Sequence, residues 1–216
     1  MHKKSHIRQT FFLLFVILSS NIVAQNPVPK APDLDGRAWI LIDANTGFVI
    51  AENNADKPLP PASLAKMMTT YIAVKQIKEG VLGDYDEVLV SDNAWEKGGA
   101  KTDGSTMFLS PRVAVPVIDL MRGIIIQSGN DAAIALAEHI SGSEDAFSNV
   151  MNDNAVELGM DNTFYYNSTG LPAEGMLSSA RDQATLAKAI IEIDPNYYAL
   201  YSEKYFQHND INQPNR

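Results

Sequence analysis

The chain has 216 residues, 45% of them hydrophobic, a formal net charge of −9 at neutral pH and no cysteine. That length and composition suit one globular domain with a substantial core. The missing cysteines exclude disulfides, thiolate metal sites and thiol catalysis, and the acidic balance excludes nucleic acid and disfavours anionic membrane surfaces as partners.

Met1 to Thr10 carries Lys3, Lys4 and Arg8 and no acid, and the apolar run Phe11 to Leu18 then leads through polar residues to Ile22-Val-Ala24. A basic start, a short apolar run and a small residue before a cut are the marks of a secretory signal, so cleavage is expected near Ala24–Gln25. The run is well short of the roughly 20 residues a spanning helix needs. Removal of residues 1–24 leaves 14 basic against 26 acidic residues, a net charge of −12, and only two histidines, His139 and His208. These lie far apart in sequence and read as structural or solvated, so neither a metal centre nor a Ser-His-Asp triad is expected.

Residues 25–37 form an extended lead-in. Ala38–Asp43 and Phe48–Glu52 are β-rich runs around Ala44-Asn-Thr-Gly47, a hairpin expected to sit in a sheet against the next helix. That helix is the stretch on which the chain turns. Leu64, Met67, Met68, Tyr71 and Ile72 have the spacing of one buried helical face, Gly80 supplies the stop, and Pro60 and Pro61 hold the approach extended. The helix therefore opens near Ser63, where unpaired N–H groups and the positive end of the dipole gather. Lys66, three residues on, can reach back to the Ser63 hydroxyl, and a desolvated amine of lowered pKa could take its proton. Two fixed residues recur by chance roughly once in a chain of this length, and a Ser N-cap beside a surface Lys is ordinary helix chemistry. A lysine on the first turn of so apolar a helix is the less ordinary feature.

Glu87–Val90 reads as a strand. Ser91–Ser110 is a polar, glycine-containing insert, too long for a simple connection and suited to a functional rim or lid. Val115–Gln127 and Ala132–Ile140 are helical patterns broken at Ser128-Gly-Asn130, with Ser128 and Asn130 expected to point outward together from the turn and Asp131 to begin the second helix. Ser143 caps a further helix with Phe147, Val150, Met151 and Leu158 inward. Thr163–Met176 is loop-like with a strand attempt at Phe164–Tyr166. Ser179–Asp182 opens a last helix to about Ile193, and Tyr197–Phe206 is aromatic and mixed. The tail from Ile211 is read without a packed element, and strands are expected to be missing beyond Arg216.

Taken together, Asp43-Ala-Asn-Thr-Gly47, Pro61-Ala-Ser63-Leu-Ala-Lys66-Met-Met-Thr69, Gln127-Ser-Gly-Asn-Asp-Ala-Ala133 and Ser178-Ser-Ala-Arg-Asp182 resemble the serine penicillin-recognising enzymes. Within them, the resemblance is to the D-alanyl-D-alanine carboxypeptidases among the low-molecular-mass penicillin-binding proteins, from about Trp39 to the end. It implies an α+β fold of the β-lactamase/transpeptidase kind, an antiparallel sheet packed with helices plus a helical subdomain, with residues 38–216 an incomplete catalytic domain. It also implies that Ser63 attacks the penultimate D-alanine of a peptidoglycan stem peptide and Lys66 takes its proton. Ser128 would relay a proton to the leaving amine, and Asn130 would hold Lys66 and the substrate amide. β-Lactams would acylate the same serine. No cofactor and no metal are implied. The place is outside the cell, in the periplasm or on the outer face of the cytoplasmic membrane, with peripheral membrane association through a carboxyl-terminal region beyond this chain.

The family's third motif, Lys-Thr-Gly on a strand, is not in the sequence. Lys101-Thr-Asp103 comes in the wrong order and lacks the glycine, and Ser168-Thr-Gly170 lacks the basic residue and sits in a loop; both read as coincidences. Two alternatives compete. A class A β-lactamase would show Ser-Asp-Asn where this chain has Gly129 and would need a deacylating glutamate, for which Glu174 is the one suggestive residue. A truncated, non-catalytic cell-wall-binding fragment is the other.

Overall fold

The computed structural model describes residues 31–99 and 101–215. The expected signal segment, residues 1–24, lies outside the described residues. The chain divides into Met1–Leu34 and Asp35–Arg216; in the first, residues 31–34 have no regular secondary structure, and everything below concerns the second.

Its spine is α1 (Ala65–Lys78), entered through a 3-10 turn at Ala62–Leu64. Gly80, at φ +72°, ends it as expected, and the N–H of Val81 returns to the Gln76 carbonyl. The buried face differs from the one the spacing suggests: Met68 and Ile72 are buried, but Leu64 is 50% exposed, and Ala65, Thr69 and Ala73 are inside instead. Small side chains let neighbours approach closely, and α1 is touched by α3 (Val117–Gln127), α4 (Asn130–Ser141), α5 (Glu144–Glu157) and α6 (Ala180–Ile193). Two apolar cores meet along it. Ala73 and Val74 join Leu120, Met121, Ile124 and Leu136 on one side, while Met68 and Ile72 join Phe147, Met151, Tyr165 and Leu186 on the other. Of the inward residues expected on α5, Phe147 and Met151 are buried, whereas Val150 and Leu158 are only partly covered.

Among the described residues the strands form three two-stranded antiparallel ladders and no single sheet. β1 (Trp39–Ile42) pairs with β2 (Val49–Asn53), Trp39 opposite Asn53, around a turn in which the Asp43 carboxylate accepts from the N–H and hydroxyl of Thr46 and Gly47 takes φ +74°. The hairpin reaches the spine through α6, which touches both β1 and α1. Arg181 ties it down with bonds of 2.5 Å to Glu52 and 2.6 Å to Asp56.

β3 (Glu87–Leu89) pairs with β4 (Ala114–Pro116), so α3 starts two residues later than the apolar pattern suggests. Pro116 is the reason, since it disfavours helical geometry at Val115. The polar insert holds a helix that composition hid, α2 (Asp92–Gly98), capped by the Ser91 hydroxyl accepting from the Ala94 N–H and packed on α4. After α6 come α7 (Pro195–Ala199) and a hairpin of β5 (Tyr205–His208) and β6 (Ile211–Pro214). The tail thus carries a packed strand after all: Gln213 is buried and donates to the Met107 carbonyl at 2.8 Å. The Phe164–Tyr166 strand attempt reduces to a single bridge between Phe164 and Leu177.

Candidate active site

Ala62, a non-glycine residue, sits at φ +49°, a left-handed conformation that L side chains rarely adopt, immediately before Ser63. The chain enters Ser63 sharply and turns straight into α1. One turn on, Lys66 is 4% exposed. Its amine lies 3.4 Å from the Ser63 Oγ and donates to the Thr169 carbonyl at 2.7 Å. Burial pushes the Lys66 amine down from its ordinary value to about 8, and the charge of Asp131 on α4 opposes that fall. A lysine in this setting is a base near neutral pH, within loose hydrogen-bond reach of a hydroxyl.

Ser63, Lys66 and Ser128 line one cleft of about 110 Å³, floored by Met67, Thr70, Ile124, Ile125 and Tyr201. Ser128 is held there by backbone geometry. It ends α3 in the left-handed region, φ 60° and ψ 35°, with Gly129 turning the chain into α4. The expectation that Ser128 and Asn130 point outward together is not met, because Asn130 is already the first residue of α4 and only 4% exposed. Its N–H donates to the Ser105 carbonyl at 2.9 Å, and its amide lies so close to Gly104 that a Cβ there would come within 2.6 Å. The hydrogen bonds of the Lys66 amine among the described residues go to Ser63 and Thr169 rather than to Asn130. Asp131 is the second residue of α4, one past its start, and the N-cap position belongs to Gly129. The Asp131 carboxylate accepts from the N–H groups of Met107, Leu109 and Ala132 and from the Thr106 hydroxyl, fastening the end of the polar insert beside the site.

The residues set aside as coincidences part company. Lys101 stacks over the Trp95 ring at 3.9 Å and is not among the residues that line the Ser63 cleft. Ser168-Thr-Gly170, although no strand and no substitute for Lys-Thr-Gly, is in the site: Thr169 meets Lys66, the Ser168 carbonyl accepts from Thr69 at 2.8 Å, and Gly170 lies against Ala62. Spacing could not reveal this, because the contacts are made by backbone atoms. Glu174 lines a neighbouring groove with Pro61, Ala62 and Gly170 and is not among the residues that line the Ser63 cleft.

A desolvated amine of lowered pKa beside a hydroxyl at a helix head, with a second serine lining the same cleft, is equipped for acyl transfer through a serine ester. Comparison with known proteins points the same way. The profile of the D-alanyl-D-alanine carboxypeptidase family, peptidase S11, matches residues 25–216. The chain is 46% identical to the D-alanyl-D-alanine carboxypeptidase DacC of Escherichia coli K12, over 94% of this chain and 51% of that one. Among solved structures it is similar to penicillin binding protein 6B of Escherichia coli, with a TM-score of 0.83 and 39% identity, covering 88% of this chain and 60% of that one. Penicillin binding protein 5 of Haemophilus influenzae gives 0.82 and 40%, covering 86% and 53%. The chain spans about half the length of the curated relatives it matches. With a transpeptidase-like α+β fold and a match of this extent, the chain belongs to the D-alanyl-D-alanine carboxypeptidase family.

Proposed function

We propose that this chain carries the nucleophile and base of a serine D-alanyl-D-alanine carboxypeptidase acting on peptidoglycan stem peptides. The observation that carries the reading is the buried Lys66 amine, lowered to about 8, facing the Ser63 hydroxyl at 3.4 Å in a cleft shared with Ser128. Ser63 Oγ attacks the carbonyl carbon of the penultimate D-alanine as its proton passes to Lys66 Nζ. Ser128 relays a proton to the leaving amine, D-alanine departs, and water hydrolyses the ester. Asn130, at the head of α4, is assigned to the substrate amide. β-Lactams acylate the same serine. The basic and apolar run of residues 1–18 supports export to the periplasm or the outer face of the cytoplasmic membrane. Peripheral association with that membrane belongs to the same reading.

Labelling with a fluorescent penicillin, followed by mass mapping of the modified peptide, tests it. A stoichiometric adduct on Ser63, absent from Ser63→Ala, is the expected result. Equal labelling of Ser63→Ala would remove Ser63 from the mechanism.

A further inference from the structure

The segment Asn167–Leu171 reaches Lys66 across 103 positions of sequence. Its internal bonds converge on one side chain. The Asn167 Oδ1 accepts from the Thr169 N–H at 3.2 Å, the Thr169 hydroxyl at 3.0 Å and the Gly170 N–H at 2.7 Å, while its Nδ2 donates to the Leu171 carbonyl at 2.9 Å. From outside, one carboxylate oxygen of Glu144, at the start of α5, accepts from both the N–H and the hydroxyl of Ser168, at 3.0 and 2.7 Å. With donors and acceptors folded inward in this way, the loop presents two carbonyls to α1: that of Ser168 to Thr69, and that of Thr169 to the Lys66 amine.

The same loop bears on the nucleophile. Gly170 has φ +81°, and a Cβ there would come within 1.8 Å of the Ala62 oxygen and 3.1 Å of the Ser63 nitrogen. Its backbone therefore rests directly on the peptide linking Ala62, at φ +49°, to Ser63. No residue larger than glycine leaves room for that approach.

We infer that Asn167–Leu171 is a clamp that fixes both members of the Ser63–Lys66 pair, with Asn167 and Glu144 as its positioning residues. The inference rests on the acyl-transfer reading above. A neutral amine has two N–H bonds and one lone pair. With one N–H committed to the Thr169 carbonyl, the amine's rotation is restricted and the lone pair can be turned toward Ser63. When the Ser63 O–H bond breaks and a new N–H bond forms on Lys66, the same carbonyl faces the resulting ammonium and strengthens its bond. Asp131 on α4 is the charged group acting on this amine, and the Tyr201 phenol lines the same cleft.

The test uses the full chain with Asn167→Ala, Asn167→Asp and Glu144→Ala, and two readouts. One is the saturating rate of Ser63 acylation by fluorescent penicillin together with the concentration that half-saturates it. The other is the titration of Lys66 followed by NMR of ε-13C-lysine. Asn167→Ala is expected to slow saturating acylation on the order of 100-fold at little change in half-saturation. It should also move the Lys66 midpoint upward, as water reaches the amine. Asn167→Asp keeps the oxygen that takes three bonds and should restore most of the acylation rate, while the lost donor to the Leu171 carbonyl and the added negative charge keep its Lys66 midpoint above the parent's. Glu144→Ala should give a smaller slowing, about tenfold, and carries the test if Asn167→Ala does not fold. Parent-like acylation and parent-like titration in Asn167→Ala, or in Glu144→Ala should it alone fold, would overturn the clamp. A parent chain that penicillin never acylates would instead sink the acyl-transfer reading, and the Lys66 titration would still decide whether the clamp exists.

Discussion

Lys66 and Asp131 are both buried charged residues near the head of a helix, and the protein treats them in opposite ways. Asp131 is surrounded by four donors: three backbone N–H groups and one hydroxyl, all within 2.9 Å. Lys66 has one close partner, the Thr169 carbonyl, and a long contact to Ser63. A buried charge whose bonding capacity is filled is a fastening. One left short of partners is driven toward its neutral form, which for an amine is the reactive one. The comparison separates a structural ion from a chemical one without reference to what either does.

Breaking the fastening should give the larger effect. Asp131→Ala leaves buried N–H groups at Met107, Leu109 and Ala132 without their acceptor and is expected to lower unfolding stability by about 3–5 kcal/mol, measured by urea denaturation. An unchanged midpoint would mean that water or a shifted backbone meets those groups as well as the carboxylate does.

Lys66 should behave in the reverse sense. Lys66→Met is expected to abolish acylation of Ser63 while leaving stability at pH 7 equal to the parent or higher, because an apolar chain of similar length removes a costly desolvation. The pH dependence sharpens this. With a folded midpoint of about 8 against an ordinary 10.5, the unfolded chain binds the extra proton, so the parent gains stability as pH rises between those two values. The difference between parent and Lys66→Met should therefore shift by about 3 kcal/mol in favour of the parent across that window, and a flat difference would place the amine at its normal value. Acylation should rise over the pH range in which Lys66 loses its proton.

The smallest effect concerns α1 itself. Leu64→Ala, at an exposed position that the apolar spacing counts as core, should change stability by less than about 0.5 kcal/mol, whereas Met68→Ala should cost about 2–5 kcal/mol in the same denaturation series. Equal losses would restore the face that the spacing suggests.

That pair also marks how far the sequence could be read. The helix, its glycine stop and the one-turn spacing of Ser63 and Lys66 are local features, and local features leave periodic marks. The true burial of α1 follows from small residues admitting close neighbours, which hydrophobic spacing does not record. α2 was hidden because Asp92, Asn93, Glu96 and Lys97 make its sequence polar, although Ser91 offered a capping signal. Ser128 was legible at a helix break, but the burial of Asn130 depends on Gly104 and Ser105 folding back over it. Thr169 was illegible in principle: a carbonyl is common to every residue, and nothing in a side chain announces that one will be used 103 positions away.

The distance between Thr169 and Lys66 also orders events as the chain is made. Ser63 and Lys66 emerge early and share one helix turn, but the amine stays an ordinary hydrated ammonium until residues 167–171 have been synthesised and docked over it. Closing so long a loop is entropically late relative to forming α1. On the acyl-transfer reading the serine is without its base until then, so a nascent or half-folded chain would be chemically silent, its reactivity arriving with the tertiary fold.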